Sequence, residues 1–511
     1  MAKRVGPMSQ LLPGRAGSAL VWKLVQLVGV KLIFLVRLFV LGWMLGPGEF
    51  GLFAVSLVAL DFLLRITNFG MVPALVQRQA AERRHYDAAW TVGLLRAGLV
   101  SAVVFAIAPL VADLFREPRA TDLIRVLALR PLLEAGASIG VAELTRQLRF
   151  RPLAWIQLSE AVVNTVVSIA LVNSLGVWAL VAGPLAGALA SLVVSYLMAP
   201  HRPRILLDSS AIRPLLRFGG WIFATALIGT LGNTMLQLAM GRRLGAAELG
   251  VYFLAGKLAF LPSEIATELV GAVAFPLYAR LQKNTLHATQ AFQLIFIGTL
   301  AVLLPATLLL FVLAPALVEH LLSERWQGTA PAIRVLVLVN IVGLAGGTIV
   351  PMLKGLGQPS RVTVLELVQS GMLIILAWEL AGRYGAVGAG LSWLLATGVS
   401  QMLALYFLRR LIPHAWAGMG GALTAVVVAA LAGAGVAWGI TRWETGTAGL
   451  IAAAGLGLLV TAGLLWTQDR LFGLRFGETL TRTFPQVLTA WALLSGFRRA
   501  SSPVPPGGGI D

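Results

Sequence analysis

The chain has no cysteine, so it can form neither a disulfide framework nor a thiolate metal site. Its five histidines are scattered and offer no metal cluster. Charge is sparse too: Asp, Glu, Lys and Arg make up 12% of 511 residues. No phosphate-cradling loop ends in Gly-Lys-Ser/Thr, because Gly256-Lys257 is followed by Leu258. No HExxH and no acidic DxD loop occur, and no connector between apolar runs exceeds about twenty residues, a length that leaves no soluble domain. These absences argue against an enzyme, including a membrane glycosyltransferase or polymerase, which needs a sizeable outer loop for its chemistry. No cofactor is expected.

What is present in quantity is apolar surface. Hydrophobic residues make up 58% of the chain and the mean hydropathy is +0.84, more than a soluble fold of this length can hide. The chain therefore reads as an all-α polytopic membrane protein. Runs of bilayer length fall at 18–43, 50–76, 89–112, 123–143, 153–174, 177–199, 215–241, 250–276, 290–314, 332–353, 362–381, 386–408, 417–440 and 448–467, about 14 transmembrane helices. With a cytoplasmic N-terminus and alternating sides, 25 of the 40 Lys and Arg fall on the cytoplasmic side, 7 outside and 8 within spans. That is the positive-inside bias. It accounts for the net charge of +18 without nucleic acid as a partner, and it puts both termini in the cytoplasm.

One stretch occurs twice. Leu45-Gly46-Pro47-Gly48-Glu49-Phe50-Gly51-Leu52-Phe53 returns 199 residues later as Leu244-Gly245-Ala246-Ala247-Glu248-Leu249-Gly250-Val251-Tyr252. A repeat of that period predicts two pseudo-symmetric six-helix lobes with a substrate site between them. The expected order is a cytoplasmic N-terminus (1–17), a first lobe (18–210), a second lobe (211–410) and two C-terminal helices (411–468). The tail (469–511) is expected to hold an interfacial segment at Phe484–Phe497 and a disordered end at Ser501–Asp511.

Charge inside the spans marks the candidate site, because an ionisable group at mid-bilayer costs ~2.5–3.5 kcal/mol even on the lenient insertion scale. Asp61, Arg65 and Asn68 stand at i, i+4, i+7 on span two; Lys257, Glu264 and Glu268 at i, i+7, i+11 on span eight. Gln157, Glu160, Asn164 and Ser168 form a third stripe, and Thr230, Asn233 and Gln237 a fourth. Four stripes from both halves predict a hydrated central cavity. Lys31, Arg37, Asp61, Arg65, Asn68, Arg130 and Lys257 are the candidate substrate residues, and Glu160, Glu264 and Glu268 the candidates for coupling to H+ or Na+. The competing reading makes Asp61–Arg65 and Arg130–Glu134 intrahelical ion pairs that steady the bundle.

Several phrases in order resemble the polysaccharide transporters, or Wzx-type lipid-linked oligosaccharide flippases, of the multidrug/oligosaccharidyl-lipid/polysaccharide exporter superfamily. They are Leu45–Gly51 with Asn68-Phe69-Gly70 and Ala74–Arg78, Gly241–Gly245 with Gly250-Val251-Tyr252 and Pro262, Phe275–Gln282, Gly355–Pro359 and Tyr384–Gly388. Members often carry Asp where Asn68 stands and shortly before Gly241, where this chain reads Leu236-Gln237, so no proton or cation role carries over to those places. The resemblance implies alternating access and an undecaprenyl-diphosphate-linked glycan as cargo, flipped across the bacterial inner membrane. Related lipid II flippases use arginines on spans one, two and eight; Arg37 and Arg65 lie in corresponding spans, and span eight offers Lys257. Partners would be the lipid-linked oligosaccharide, membrane lipid and a polysaccharide polymerase or export machinery. The alternative within the superfamily is a drug or metabolite-cation antiporter.

Overall fold

In the computed structural model the described residues are 15–472, apart from 69, 72–74, 76–81, 148, 209–219, 282–284 and 445. The expected tail elements lie outside them. Among the described residues every regular element is helical. The first half contains α1 (Arg15–Met44), α2 (Pro47–Ile66), α3 (Arg83–Phe115), α4 (Ala120–Leu127), α5 (Arg130–Gly136), α6 (Gly140–Arg146), α7 (Phe150–Leu175) and α8 (Ala179–Met198). The second contains α9 (Gly220–Leu244), α10 (Ala246–Ala259), α11 (Leu261–Arg280), α12 (Thr285–Leu321), α13 (Thr329–Gly355), α14 (Pro359–Leu376) and α15 (Gly382–Leu411). Two further helices, α16 (Gly420–Trp443) and α17 (Thr447–Phe472), pack onto α12 through Leu309, Leu313, Ala437, Leu450 and Ala453.

Among the described residues the runs expected as spans differ in form. By length and hydropathy eight stretches of the described residues can cross a bilayer, or nine if the bent α10–α11 pair counts as one. Two of the eight, 49 and 53 residues long, contain the paired helices α7/α8 and α14/α15. Helices α2 and α9, which carry two of the polar stripes, are not among the eight. The expected fourth span, 123–143, is instead the three short helices α4, α5 and α6. Pro131 sits in the first turn of α5, and Ala137 leaves the helical region at ψ 156°. The N–H of the next residue, Ser138, then bonds Ser195 Oγ at 2.9 Å. The expected eighth span bends by 44° between α10 and α11, where Pro262 has no N–H to continue the ladder.

The duplicated stretches meet. A Cβ placed on Gly51 would stand 1.6 Å from the backbone oxygen of Ala246, and one on Gly250 would stand 1.9 Å from the oxygen of Pro47. Positions 51 and 250, like 47 and 246, are separated by the 199-residue repeat, so the contact is reciprocal. An isologous contact of this kind is what a local twofold produces. Without a water-driven hydrophobic force in lipid, close backbone approach at small residues supplies the packing.

A second correspondence escapes the sequence. Gly176, between α7 and α8, has φ 56°, ψ −124°, and Gly385, at the start of α15, has φ 61°, ψ −139°. Both turns need a conformation that only glycine adopts cheaply. Glu248, within the second copy of the repeat, accepts from the N–H of Ala386 at 3.0 Å, so the α9–α10 corner is fastened to the second of these turns.

These turns gather at one end of the bundle, and that end is sealed. Trp326, in the 3-10 turn between α12 and α13, is fully buried, and its Nε1 donates to the backbone oxygen of Gly42 at 2.6 Å. Its ring meets Phe50 edge-on at 5.1 Å. The largest core follows from this seam, joining Leu41, Val55 and Leu60 to Met240, Leu254 and Leu336.

Candidate functional site

Away from the sealed end the halves part around a cavity of about 750 Å³. Helix α2 contributes Asp61 and Arg65, α9 contributes Thr230, Asn233 and Gln237, and α10 and α11 contribute Lys257, Glu264 and Glu268. Two of the four polar stripes, from α2 and α9, thus face one cavity, and the bend at Phe260 turns the Lys257–Glu264–Glu268 stripe onto it as well. Asn68 does not join them. It lies beyond the end of α2, where its Oδ1 accepts from the N–H of Gly70 at 3.1 Å and closes a turn.

The expected Asp61–Arg65 ion pair is not formed. Neither side chain makes a hydrogen bond or ion pair with another described residue, and both are exposed to the cavity. Lys257, on the last turn of α10, lies 5.4 Å from the Phe253 ring centroid and forms no ion pair within 4 Å among the described residues, while Asp61 acts on it through space. Arg130, by contrast, holds Glu134 at 2.7 Å, as the bundle-steadying reading expects.

The acids of α11 are engaged by the opposite half. Lys31 reaches Glu264 at 2.6 Å and Lys23 reaches Glu268 at 2.7 Å, joining α1 to α11 at the end opposite Trp326. All four groups are partly exposed, which keeps the static worth of each pair small. Their value is as a reversible tie between halves. Lys31→Glu should lower export, and Lys31→Glu combined with Glu264→Lys should restore at least half of it at equal protein level. A double variant no better than the single one would mean that Lys31 serves by another contact.

The third stripe faces α1. The amide of Gln26 donates to Gln157 Oε1, and Arg37 donates to Asn164 Oδ1, both at 2.5 Å. Glu160 shares with Arg37 a cavity of about 270 Å³. A further cavity of about 180 Å³ is lined by Arg37, Arg130 and Lys257, with no acid on its wall. It shares Leu57, Phe253 and Lys257 with the large cavity. Lys257 therefore stands where the two meet, which spacing along the chain did not disclose.

Two more embedded features fall elsewhere. Glu366 lines a cavity of about 260 Å³ within the second half, beside Gln369, Thr397 and Gln401. Gly136-Ala137-Ser138-Ile139-Gly140 has the letters of a nucleophile elbow. Ser138 is buried and its hydroxyl donates to the backbone oxygen of Ala199, so it is a structural hydroxyl in a chain break.

The described residues form a helical membrane bundle with a charged cavity and ion pairs between its halves, an arrangement suited to transport. The chain belongs to the polysaccharide biosynthesis protein family, whose model matches residues 40–331. It is 26% identical over 371 residues to the succinoglycan biosynthesis transport protein ExoT of Rhizobium meliloti, covering 72% of this chain and 74% of that one. It is 24% identical over 392 residues to the lipopolysaccharide biosynthesis protein WzxC of Escherichia coli, covering 75% and 79%. Its fold is similar to that of lipid II flippase MurJ in an inward closed conformation, with TM-score 0.65, 13% identity, and 87% of this chain and 98% of that one covered. An inward-facing MATE family transporter of the MOP superfamily gives TM-score 0.57 at 17% identity, covering 80% and 97%.

Proposed function

We propose that this protein flips an undecaprenyl-diphosphate-linked oligosaccharide across the bacterial inner membrane by ion-coupled alternating access. The observation that carries the reading is the convergence of Arg37, Arg130 and Lys257 on one small cavity that adjoins a large polar one. A diphosphate taken out of water needs compensating positive charge, and guanidinium groups present forks of donors that match its oxygens. The large cavity falls within the ~300–1,000 Å³ typical of pockets that enclose small ligands. The names of the relatives, a succinoglycan transport protein and a lipopolysaccharide biosynthesis protein, point the same way.

In this reading the chain crosses fourteen times, with both termini cytoplasmic and the Trp326 end outward. Glu160, Glu264 and Glu268 remain the candidates for coupling to H+ or Na+, the last two by exchanging lysine for the coupling ion. A polymerase or export complex would receive the glycan on the outer side. The antiporter reading has Asp61 in its favour, but Glu264 and Glu268 are already met by lysines.

Deleting the gene should leave lipid-linked repeat units accumulated and protected from a membrane-impermeant glycosidase in intact spheroplasts. Restoring the gene should expose them. Repeat units equally accessible with and without the protein would end the flippase reading. Enzyme fusions after Arg84 and Arg204 should report cytoplasm, and one after Arg119 the outer side; any reversal would refute the topology.

A further inference from the structure

The charges of the large cavity come from α2, α10 and α11, and the part of its wall beside them is neutral. That wall is built from α9 and α15 and presents Asn233, Gln237 and Trp393. We propose that Trp393, Asn233 and Gln237 form a subsite for the neutral sugar rings of the cargo, distinct from the cationic place for its diphosphate. The proposal rests on reading the cargo as a lipid-linked oligosaccharide.

Three observations support it. First, Asn233 and Gln237 stand one turn apart on α9, and neither side chain has a hydrogen-bond partner among the described residues. Each amide offers two donors and an acceptor, the set that sugar hydroxyls, themselves donors and acceptors, satisfy. A phosphate only accepts and would leave the amide oxygens unpaired.

Second, Trp393 is held in place before any ligand arrives. Its Nε1–H donates to the hydroxyl of Tyr252 at 3.0 Å, and Tyr252 is itself buried. Phe260 meets the indole at 6.2 Å with the planes 64° apart. With its one donor engaged and its orientation fixed, the half-buried indole can offer the cavity only its π surface. The electron-rich face of such a ring suits the C–H face of a pyranose, and a pre-set side chain loses little entropy on binding.

Third, the neutral wall adjoins the charged one along the same cavity, Trp393 being bonded to Tyr252 of the helix that carries Lys257. Asp61, Arg65, Lys257, Glu264 and Glu268 belong to α2, α10 and α11, while every residue that α9 and α15 contribute is uncharged. A headgroup whose diphosphate sits near Lys257 would extend its first sugars toward Trp393.

The test uses the full chain in phosphatidylcholine nanodiscs and two kinds of probe. Saturation-transfer difference NMR reports methyl β-D-glucopyranoside, methyl β-D-galactopyranoside and methyl N-acetyl-β-D-glucosaminide; calorimetry reports inorganic pyrophosphate. Wild type should transfer saturation to at least one glycoside. Trp393→Ala, and Asn233→Ala with Gln237→Ala, should each cut that transfer at least fivefold and leave pyrophosphate binding within twofold. Trp393→Phe, which keeps a stacking face, should retain more than half of the transfer. Lys257→Ala should do the reverse, losing pyrophosphate and keeping the glycoside.

Wild-type binding of pyrophosphate with no transfer to any glycoside would overturn the sugar subsite while leaving the cargo reading intact. Transfer in Trp393→Ala within twofold of wild type would overturn it too. Trp393-dependent sugar binding without pyrophosphate binding would support the subsite and count against the diphosphate. Should Trp393→Ala fail to fold, the paired amide variant and Trp393→Phe decide by the same thresholds.

Discussion

Lys257→Ala should reduce polysaccharide export by ~10- to 100-fold, the factor that losing one hydrogen bond to a charged group, about 1.5–3 kcal/mol, corresponds to. Lys257 lines both the cationic and the large cavity, and no carboxylate holds it among the described residues. Asp61 acts on it through space without forming an ion pair, whereas Lys31 and Arg130 have acidic partners at 2.6 and 2.7 Å. Lys257→Arg keeps the charge and should keep part of the export. Arg37→Ala should approach the Lys257→Ala loss, because Arg37 lines the same cavity and its visible side-chain partner is the neutral Asn164.

Arg65 is the informative comparison. It shares only the large cavity, so Arg65→Ala should cost less than Lys257→Ala, and Asp61→Asn less again. The measurement is surface polysaccharide normalised to the amount of folded protein in the membrane. Wild-type export from a normally expressed Lys257→Ala variant would remove the diphosphate from this cavity. Equal losses from Lys257→Ala and Asp61→Asn would mark the two as members of one electrostatic network instead.

Gly51→Ala and Gly250→Ala should each destabilise the folded transporter, and the pair should cost less than the sum of the single changes. A methyl at either position would meet a backbone oxygen at 1.6 or 1.9 Å, and backbone has no rotamer by which to withdraw. Overfilling a packed site usually costs ~1–3 kcal/mol. The two glycines face each other's helix across one seam, so the shift of α2 against α10 that accommodates the first methyl already makes room for the second. Thermal unfolding in detergent should show lowered midpoints for both single variants. Gly48→Ala is the control, because a Cβ there meets nothing within 4 Å. Midpoints for Gly51→Ala and Gly250→Ala equal to that control would refute the reciprocal contact.

The fold class was legible because hydropathy is additive along the chain, and so was the repeat. Leu45–Phe53 and Leu244–Tyr252 announce a duplication through glycines whose spacing survives, and the structure shows why each is glycine: Gly51 and Gly250 touch backbone. Gly176 and Gly385 carry no such mark, since their neighbours differ and only their matching dihedral angles relate them. The break of 123–143 has local signals, Pro131 and the glycines Gly136 and Gly140, but the run is apolar enough to read as a span.

The sequence by itself determined that the chain is helical and membrane-embedded, that it is duplicated, and that its scarce embedded charge marks the functional region. All of these follow from composition and period, which are one-dimensional. Only the tertiary structure decided which charges meet. Arg37, Arg130 and Lys257 lie on three different helices, and Lys23 and Lys31 find their acids 245 and 233 residues away. Helical spacing says which residues share a face, but a charge is spent or free according to what the packing of other helices brings within 4 Å, and no local pattern encodes that.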